Sequence, residues 1–215
     1  MIDVTKVFLS AGHGGSDPGA VANGLYEKTI NLNVLLACKK ELERHGIKVV
    51  CSRTTDENDP VVQEVKEANN SDAEIAISFH INAGGGDGFE AFYYSSSKTG
   101  KKLAGLCEKH LKTLGQNSRG LKTGNHLHFI KKTTMPAVLV ESFFIDNVKD
   151  KAFGDTVAEQ ILIGEAYAKA ILEYLGVAYK AKHTYKVQVG AYGDKTNAEN
   201  MKRKLKAAGF DAIIV

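Results

Sequence analysis

The 215-residue chain is poor in cysteine and has no long apolar run. Its three cysteines, Cys38, Cys51 and Cys107, are odd in number, have no CxxC spacing and lie within apolar helix or strand patterns. They are therefore expected to be buried, reduced thiols rather than parts of a disulfide framework. Because no apolar run approaches the length of a transmembrane helix, we predict no membrane insertion.

The amino terminus lacks the features of a secretion signal. The segment MIDVTKVFLS has no basic stretch, no long apolar core and no cleavage site. The sequence therefore predicts no signal peptide and synthesis in the cytosol. The place of action is a separate question.

The charge is small but unevenly distributed. The net charge is +3, and 43% of the residues are hydrophobic, which is enough for a sizeable core. From Ala178 onward, eight Lys/Arg residues stand against three acids. This basic tail indicates either an anionic partner or a solvated lysine-rich helix face, and composition alone favours the second. No nucleic-acid partner is predicted.

Apolar strand-like runs alternate with helical patterns through most of the chain. Strands are predicted over residues 6–11, 47–52, 74–80, 88–96, 126–131 and 136–142. Helices are predicted over residues 28–45, 59–70, 98–114 and 155–175. This rhythm predicts an α/β fold, with a twisted, mostly parallel sheet covered by helices on both faces.

The character of the sequence changes near its end. Residues 1–176 form the predicted main domain, and residues 177–183 form a short polar linker. Residues 184–215 read as a small β-α-β unit. So short a unit cannot bury a sufficient core alone, so it needs a second copy, a partner chain or the main domain to cover its sheet.

Four chemically capable side chains fall at one edge of the predicted sheet. His13 and His80 each follow a strand, Glu141 ends another, and Glu27 opens the first long helix. Each has an ordinary structural explanation alone, but ligands bind at the carboxyl ends of parallel strands. Two histidines and one carboxylate are a standard ligand set for catalytic zinc, and the remaining glutamate suits a general base.

Two other interpretations concern the histidines and glycines. GHGG at residues 12–15 could cradle a phosphate near a helix start, but it lacks the G-x-G-x-x-G and P-loop patterns. That interpretation also leaves His80 and Glu141 without a role. His126 and His128 alternate in a predicted strand and therefore share one face, which lines either the cleft or the solvent.

Four ordered motifs resemble those of the zinc-dependent N-acetylmuramoyl-L-alanine amidases of the amidase-3 type. They are AGHGGSDPGAVANGLYEKTINL, EIAISFHINA, GFEAFYYS and MPAVLVESFFIDN, and the resemblance covers about residues 4–176. It implies that His13, Glu27 and His80 hold Zn²⁺ and that Glu141 is the catalytic glutamate. Asn82 matches the asparagine of the S-x-H-x-N motif and is predicted to contact substrate.

The sequence departs from the usual family pattern at one pair of residues. Ser10 and Ala11 stand where the family commonly has Asp-Pro before Gly-His. His128, from the predicted strand at residues 126–131, is a second predicted substrate-binding residue beside Asn82.

The carboxyl-terminal segment resembles one half of a sporulation-related repeat (SPOR) domain, which binds peptidoglycan glycan. The matching sequence is YKVQVGAYGDKTNAENMKRKLKAAGFDAIIV. The family domain has two such units in one sheet, whereas this sequence has one. Either two chains pair as a homodimer through their halves, or the chain is a truncated form.

The resemblance implies a peptidoglycan hydrolase that cleaves the amide between N-acetylmuramic acid and L-alanine of the stem peptide. Glu141 would take a proton from the attacking water and pass it to the alanine nitrogen. Such a protein would act on the cell wall after release, as a phage endolysin or as a host lytic or autolytic amidase. The alternative is a peptidoglycan-binding regulatory protein without hydrolytic activity.

Overall fold

The computed structural model describes residues 5–182, 188–210 and 212–214. The chain divides into two compact units, Met1–Lys180 and Ala181–Val215. Across the described ranges, no helix is both long and apolar enough to cross a membrane.

The first unit is built on a six-stranded sheet with the order β4-β1-β5-β8-β6-β7. Its strands are β1 Lys6–Ala11, β4 Lys48–Cys51, β5 Ile75–Asn82, β6 Phe89–Tyr93, β7 Ser118–Thr123 and β8 Ala137–Phe144, and a separate hairpin pairs β2 Val21–Ala22 with β3 Leu25–Tyr26. Strands β4, β1, β5 and β8 are mutually parallel, whereas β6 is antiparallel to β8 and parallel to β7. The predicted mostly parallel sheet is confirmed.

Helices cover both faces of this sheet, as predicted. The helices are α1 Glu27–Arg44, α2 Val61–Asn70, α3 Lys98–Lys112, α4 His128–Lys132 and α5 Val157–Leu175, with a 3₁₀ turn at Asp150–Phe153. Helices α1, α3 and α5 bury one large apolar cluster against one face. Helices α2 and α4 bury a smaller cluster around Phe8 and Ala76 on the other. Both helices are short, with ten residues in α2 and five in α4.

The three cysteines have the environments expected of thiols rather than disulfides. Cys38 and Cys107 are buried, Cys51 is partly buried, and all three are free. Burial raises the pKa of the Cys107 thiol to about 12 and that of the Cys51 thiol to about 11. At neutral pH they are therefore protonated apolar groups of the core.

The strand predicted over residues 126–131 is wrong. The chain turns at Gly124, whose carbonyl accepts from the amide of Leu127, and α4 begins at His128. Phe129 and Ile130 are adjacent in sequence and both buried, which a helix permits and an alternating strand does not. The edge strand at this side of the sheet is instead β7, which the sequence analysis did not predict.

The second unit contains α6, Lys195–Ala207, where a helix was expected. The side chain of Asp194 caps it by accepting from the amides of Thr196 and Asn197. The strands predicted on either side fall partly on residues 183–187, 211 and 215, outside the described residues. Residues 188–194 and 212–214 carry no strand assignment.

Two helical glycines predict opposite effects on stability. A β-carbon at Gly164 of α5 would overlap the carbonyl oxygen of Val34 in α1 and lie 2.7 Å from the β-carbon of Ala37. Gly164→Ala should therefore lower the free energy of unfolding by about 1–3 kcal/mol. Urea unfolding of the full chain, with chelator present throughout, measures the change.

Gly105 of α3 is the matched control. The nearest atom to a β-carbon there is Cδ1 of Leu121 at 3.8 Å, an ordinary contact. Gly105→Ala should raise the free energy of unfolding by about 0.5–1 kcal/mol, because alanine loses less backbone entropy on entering a helix. Equal effects of the two substitutions would contradict the close α1–α5 contact.

Candidate active site

Beyond the apolar cluster under α2 and α4, the same sheet face carries polar side chains. Along β5, Ala76 lies in the apolar cluster under α2 and α4, and His80 follows on the same face of the strand. Along β8, Leu139 lies in that cluster and Glu141 follows two residues later. His80 and Glu141 are register partners in the β5–β8 pair. His80 and Glu141 therefore lie side by side near the carboxyl ends of their strands, as expected from the sequence.

Three side chains converge at this edge with the chemistry of a metal site. One ligand atom each from His13, Glu27 and His80 lies within 4.8 Å of the other two. Oε1 of Glu27 is 3.3 Å from Nε2 of His13 and 3.0 Å from Nδ1 of His80. Tetrahedral zinc with bonds of about 2.1 Å places neighbouring ligand atoms about 3.4 Å apart, so this donor set fits such an ion.

Glu27 is the centre of this cluster and is almost fully buried, with 4% of its surface exposed. Its Oε2 accepts from the amide of Ala20 at 2.8 Å, and its Oε1 accepts from the amide of Ile81 at 3.0 Å. Burial alone would raise the pKa of Glu27, but the hydrogen bonds from His13 and His80 hold it well below its usual range. Glu27 is therefore held as a carboxylate between two imidazoles.

His13 is held at an unusual point of the backbone. It has φ +66°, in the left-handed region, on a loop where Gly12 contacts the ring of His80 so closely that any β-carbon would overlap it. Nδ1 of His13 lies 2.8 Å from a carboxylate oxygen of Asp17, which accepts the proton of Nδ1, and Nε2 is directed at Glu27. The hydrogen bond to Glu27 raises the pKa of His13 to about 9.

The buried side chain of Arg53 holds the same loop through hydrogen bonds to backbone carbonyls. It is 2% exposed, and its guanidinium donates to the carbonyls of Ala11 at 2.9 Å and Lys28 at 2.7 Å. The loop amides are also used within the protein, since Gly15 donates to Asp56 and Ser16 to the side chain of Asn58, both at 2.8 Å. The glycine loop thus positions His13 and does not present these amides to a phosphate.

Ser10 and Glu64 form a second buried polar pair on this face. The hydroxyl of Ser10 donates to Oε2 of Glu64 at 2.6 Å, and the two residues are 0% and 3% exposed. Burial raises the pKa of Glu64. The serine that replaces the expected Asp thus anchors the end of β1 to α2. No role was predicted from the sequence for Arg53 or Glu64, because their contacts join distant segments, or for Asp17, which meets His13 through the conformation of the loop between them.

Glu141 lies beside the cluster and makes few contacts of its own. Its Oε2 is buried and has no hydrogen-bond partner among the described residues. Burial raises the pKa of its carboxyl to about 7, and the nearby carboxylates of Glu27 and Glu90 add to that effect. A carboxyl with this pKa exchanges its proton near neutral pH, as a general base must.

The two predicted substrate contacts occupy different surroundings. The amide of Asn82 donates to Oε2 of Glu90 at 3.3 Å, and its oxygen accepts from the amide of Ala83 at 2.8 Å. His128 is exposed at the start of α4, and no hydrogen bond joins it to the cluster within the described ranges. His126 lies edge-on to Phe92 with ring centroids 6.4 Å apart. Substrate contacts by Asn82 and His128 stay predictions.

Comparison with known families identifies the chain. The family model described as N-acetylmuramoyl-L-alanine amidase (Amidase_3) matches residues 7–173. The chain belongs to this family. A second model, described as SPOR domain, matches residues 177–215 of the amidase.

Individual relatives support the assignment. The amidase is 36% identical to N-acetylmuramoyl-L-alanine amidase CwlM of Bacillus licheniformis over 99% of this chain and 85% of that protein. It is 37% identical to an endolysin of Bacillus phage SPP1 over 81% of this chain and 68% of that protein. The catalytic domain of CwlV from Bacillus (Paenibacillus) polymyxa superposes with a TM-score of 0.76 at 34% identity, covering 81% of this chain and all of that domain.

The Asp17–His13 contact predicts a defect in metal affinity. Asp17→Asn removes the carboxylate that fixes the tautomer of His13, so Zn²⁺ affinity should fall about 10-fold or more. Competition with a chromophoric chelator at fixed pH measures the dissociation constant. Asp56→Asn is the matched control, since Asp56 contacts the same loop through Gly15 and Lys28. Equal losses in both variants would assign the effect to the loop as a whole.

Proposed function

We propose that the chain hydrolyses the amide between the lactyl group of N-acetylmuramic acid and L-alanine in peptidoglycan. The observation that carries this proposal is the convergence of His13, Glu27 and His80 beside Glu141, whose buried oxygen has no described partner. Membership of the amidase family supports the choice of bond. A binding protein without hydrolytic activity is not favoured, because it leaves this arrangement without a use.

We propose Zn²⁺ as the metal, held by His13, Glu27 and His80. Two imidazole nitrogens and one carboxylate oxygen are the donor types of catalytic zinc sites, which keep a position open for water. Bound zinc would polarise the scissile carbonyl and lower the pKa of a water molecule towards about 7.

Glu141 is the proposed general base and acid. Its carboxylate takes a proton from the water that attacks the amide carbonyl and then delivers this proton to the alanine nitrogen as the carbon–nitrogen bond breaks. The raised pKa of Glu141 suits both steps, because the group gains and loses its proton near neutral pH. Position supports the role as well, since Glu141 is directly opposite His80 in the sheet.

The cell wall is the proposed place of action, reached after release of the protein. Relatives carry both kinds of name: one is an endolysin, and another is a sporulation-specific N-acetylmuramoyl-L-alanine amidase of Bacillus subtilis. A phage lysis protein and a host lytic amidase therefore both fit the proposed activity.

Substitution of Glu141 should separate catalysis from metal binding. Glu141→Gln keeps the shape of the side chain but removes the base, so activity should fall about 10²–10⁴-fold while bound zinc stays stoichiometric. Turbidity of purified cell walls gives the rate, and mass spectrometry of the digest identifies new L-alanine amino termini. In Glu27→Gln, zinc content should be lost together with activity. Full activity in Glu141→Gln would overturn the assignment.

We further propose that residues 177–215 bind peptidoglycan glycan and pair with a second copy of the chain. The match to the SPOR domain supports glycan binding. Large apolar side chains are exposed in this unit, among them Val189, Phe210 and Ile213 at 55%, 64% and 70%. Exposed apolar groups of this size commonly mark a binding surface.

If two chains pair through this unit, the protein is a dimer whose stability depends on the exposed side chain of Phe210. Sedimentation velocity of the full chain at tens of micromolar should show a dimer, and Phe210→Asp should shift it towards monomer because a charge would enter the apolar contact. Val148→Asp is the control, since Val148 is equally exposed at 71% but belongs to the first unit. A monomeric wild-type chain would contradict the pairing.

A further inference from the structure

A second carboxylate lies next to Glu141 on the side away from the metal ligands. Strand β6 pairs antiparallel with β8, and Glu90 is the register partner of Glu141. Directly opposed residues of paired strands project on the same face of a sheet. The sheet therefore presents in order His80 on β5, Glu141 on β8 and Glu90 on β6.

Two cations from the edge strand converge on Glu90. Oε1 of Glu90 accepts from Nε of Arg119 and from Nζ of Lys122, each at 2.5 Å. Asn82 donates to the other oxygen. Glu90 is 5% exposed, whereas the side chains of Arg119 and Lys122 are 43% and 40% exposed. The carboxylate of Glu90 is thus buried, and the cationic side chains of Arg119 and Lys122 separate it from solvent.

A local irregularity of β7 makes this convergence geometrically feasible. Residues three apart in a regular strand project on opposite faces. Between the partners Phe89–Ser118 and Ala91–Leu121 the register shifts by one residue, and Gly120 there has φ +90°. This bulge turns Arg119 and Lys122 to the same face. Bulges next to active sites commonly re-aim side chains in this way.

Neutralising Glu90 requires only one of these cations. One buried carboxylate against two cations leaves a net charge of +1 on this group of three side chains. Nε of Arg119 donates to Glu90, and the Arg119 guanidinium lies 5.2 Å from the ring centre of Phe144. None of the described residues accepts a hydrogen bond from the Nη atoms of Arg119. Arginine fixed by a carboxylate and an aromatic ring offers a pre-oriented pair of donors to an anion.

We infer that Arg119 and Lys122 bind a free carboxylate of the stem peptide, namely the α-carboxylate of its second residue; this inference rests on the proposed function. The two cationic heads contact a residue of the strand next to that of Glu141, so they lie about one strand spacing, ~5 Å, to its side. Because an extended peptide spans about 3.4 Å per residue, a group one residue beyond the scissile amide reaches them.

Substrate chemistry selects the peptide side over the glycan side. The carboxyl group of muramic acid is consumed in the scissile amide, and the N-acetylated sugars are neutral. The second residue of the stem is a D-glutamate whose peptide continues from the γ-carboxyl. Its α-carboxylate is therefore the first anionic group after the bond that is cleaved, and it is neutral where that group is amidated.

Two synthetic substrates test this inference. Both are N-acetylmuramoyl-L-alanyl-D-glutamate with the γ-carboxyl blocked as a methylamide, and they differ only in a free or amidated α-carboxyl. The zinc-loaded full chain should show kcat/KM about 10–100-fold higher for the acid, as expected for charge-assisted hydrogen bonds. In Arg119→Gln this ratio should fall to about threefold or less, with Lys122→Gln intermediate.

The ratio of the two rates cannot be imitated by partial unfolding, which lowers both equally. Lys101→Gln is the matched control, since Lys101 is exposed on α3 against the opposite face of the sheet and should keep the wild-type ratio. Calorimetric binding of both compounds to Glu141→Gln gives a second readout that needs no turnover, and the acid should bind at least about 10-fold tighter.

The outcomes distinguish this inference from the proposed function. A wild-type protein that cleaves purified walls but shows equal kcat/KM, or equal dissociation constants in Glu141→Gln, overturns the carboxylate site and leaves the amidase assignment intact. A preference for the acid that persists in Arg119→Gln also overturns it. Absence of new L-alanine amino termini from purified walls overturns the proposed function, and the inference with it.

Discussion

The arrangement of the active site depends on one buried carboxylate. Taking a carboxylate out of water costs several kcal/mol unless hydrogen bonds replace its hydration. Glu27 meets this requirement with two backbone amides and two imidazoles. These partners come from the loop after β1 and the end of β5, and Glu27 itself opens α1. Satisfying one charge therefore brings together the same segments that the chemistry needs.

The polar part of one sheet face determines where this chemistry is located. Helices α2 and α4 cover the apolar positions around Phe8 and Ala76, and the same face continues beyond them with polar residues. The proposed metal ligands, the proposed general base and the Arg119–Lys122 pair then follow one another across neighbouring strands. A substrate lying across the strands would meet them in that order, with the scissile amide at one end and its anionic group at the other.

Much of this could be predicted from sequence, because buried parallel strands give continuous apolar runs and their carboxyl ends meet at one edge. His13, Glu27, His80 and Glu141 each adjoin such a run or open a long helix. The failures have physical causes. Helix α4 is five residues long, too short for a helical period, and HLHFIK imitates the alternation of a strand.

The edge of the sheet was missed for a related reason. Strand β7 reads SRGLKT, with a glycine and four polar side chains, so neither its composition nor its alternation indicates a strand. Its bulge also turns the side chains of Arg119 and Lys122 to the same face of the sheet, which a pattern of period two does not predict. Contacts such as Glu64 to Ser10 and Arg53 to the carbonyl of Ala11 join residues far apart in sequence and depend on tertiary structure alone.

The close packing of Gly12 against His80 would link occupancy of the proposed metal site to the stability of the fold. The amide of Gly12 donates to the carbonyl of Phe79, so the loop that carries His13 is tied to the strand that carries His80. An ion shared by these histidines and Glu27 cross-links segments far apart in sequence, and its binding free energy adds to that of folding. Metal supply would then set the lifetime of the protein as well as its activity, so that a zinc-starved population is the one that proteases remove first.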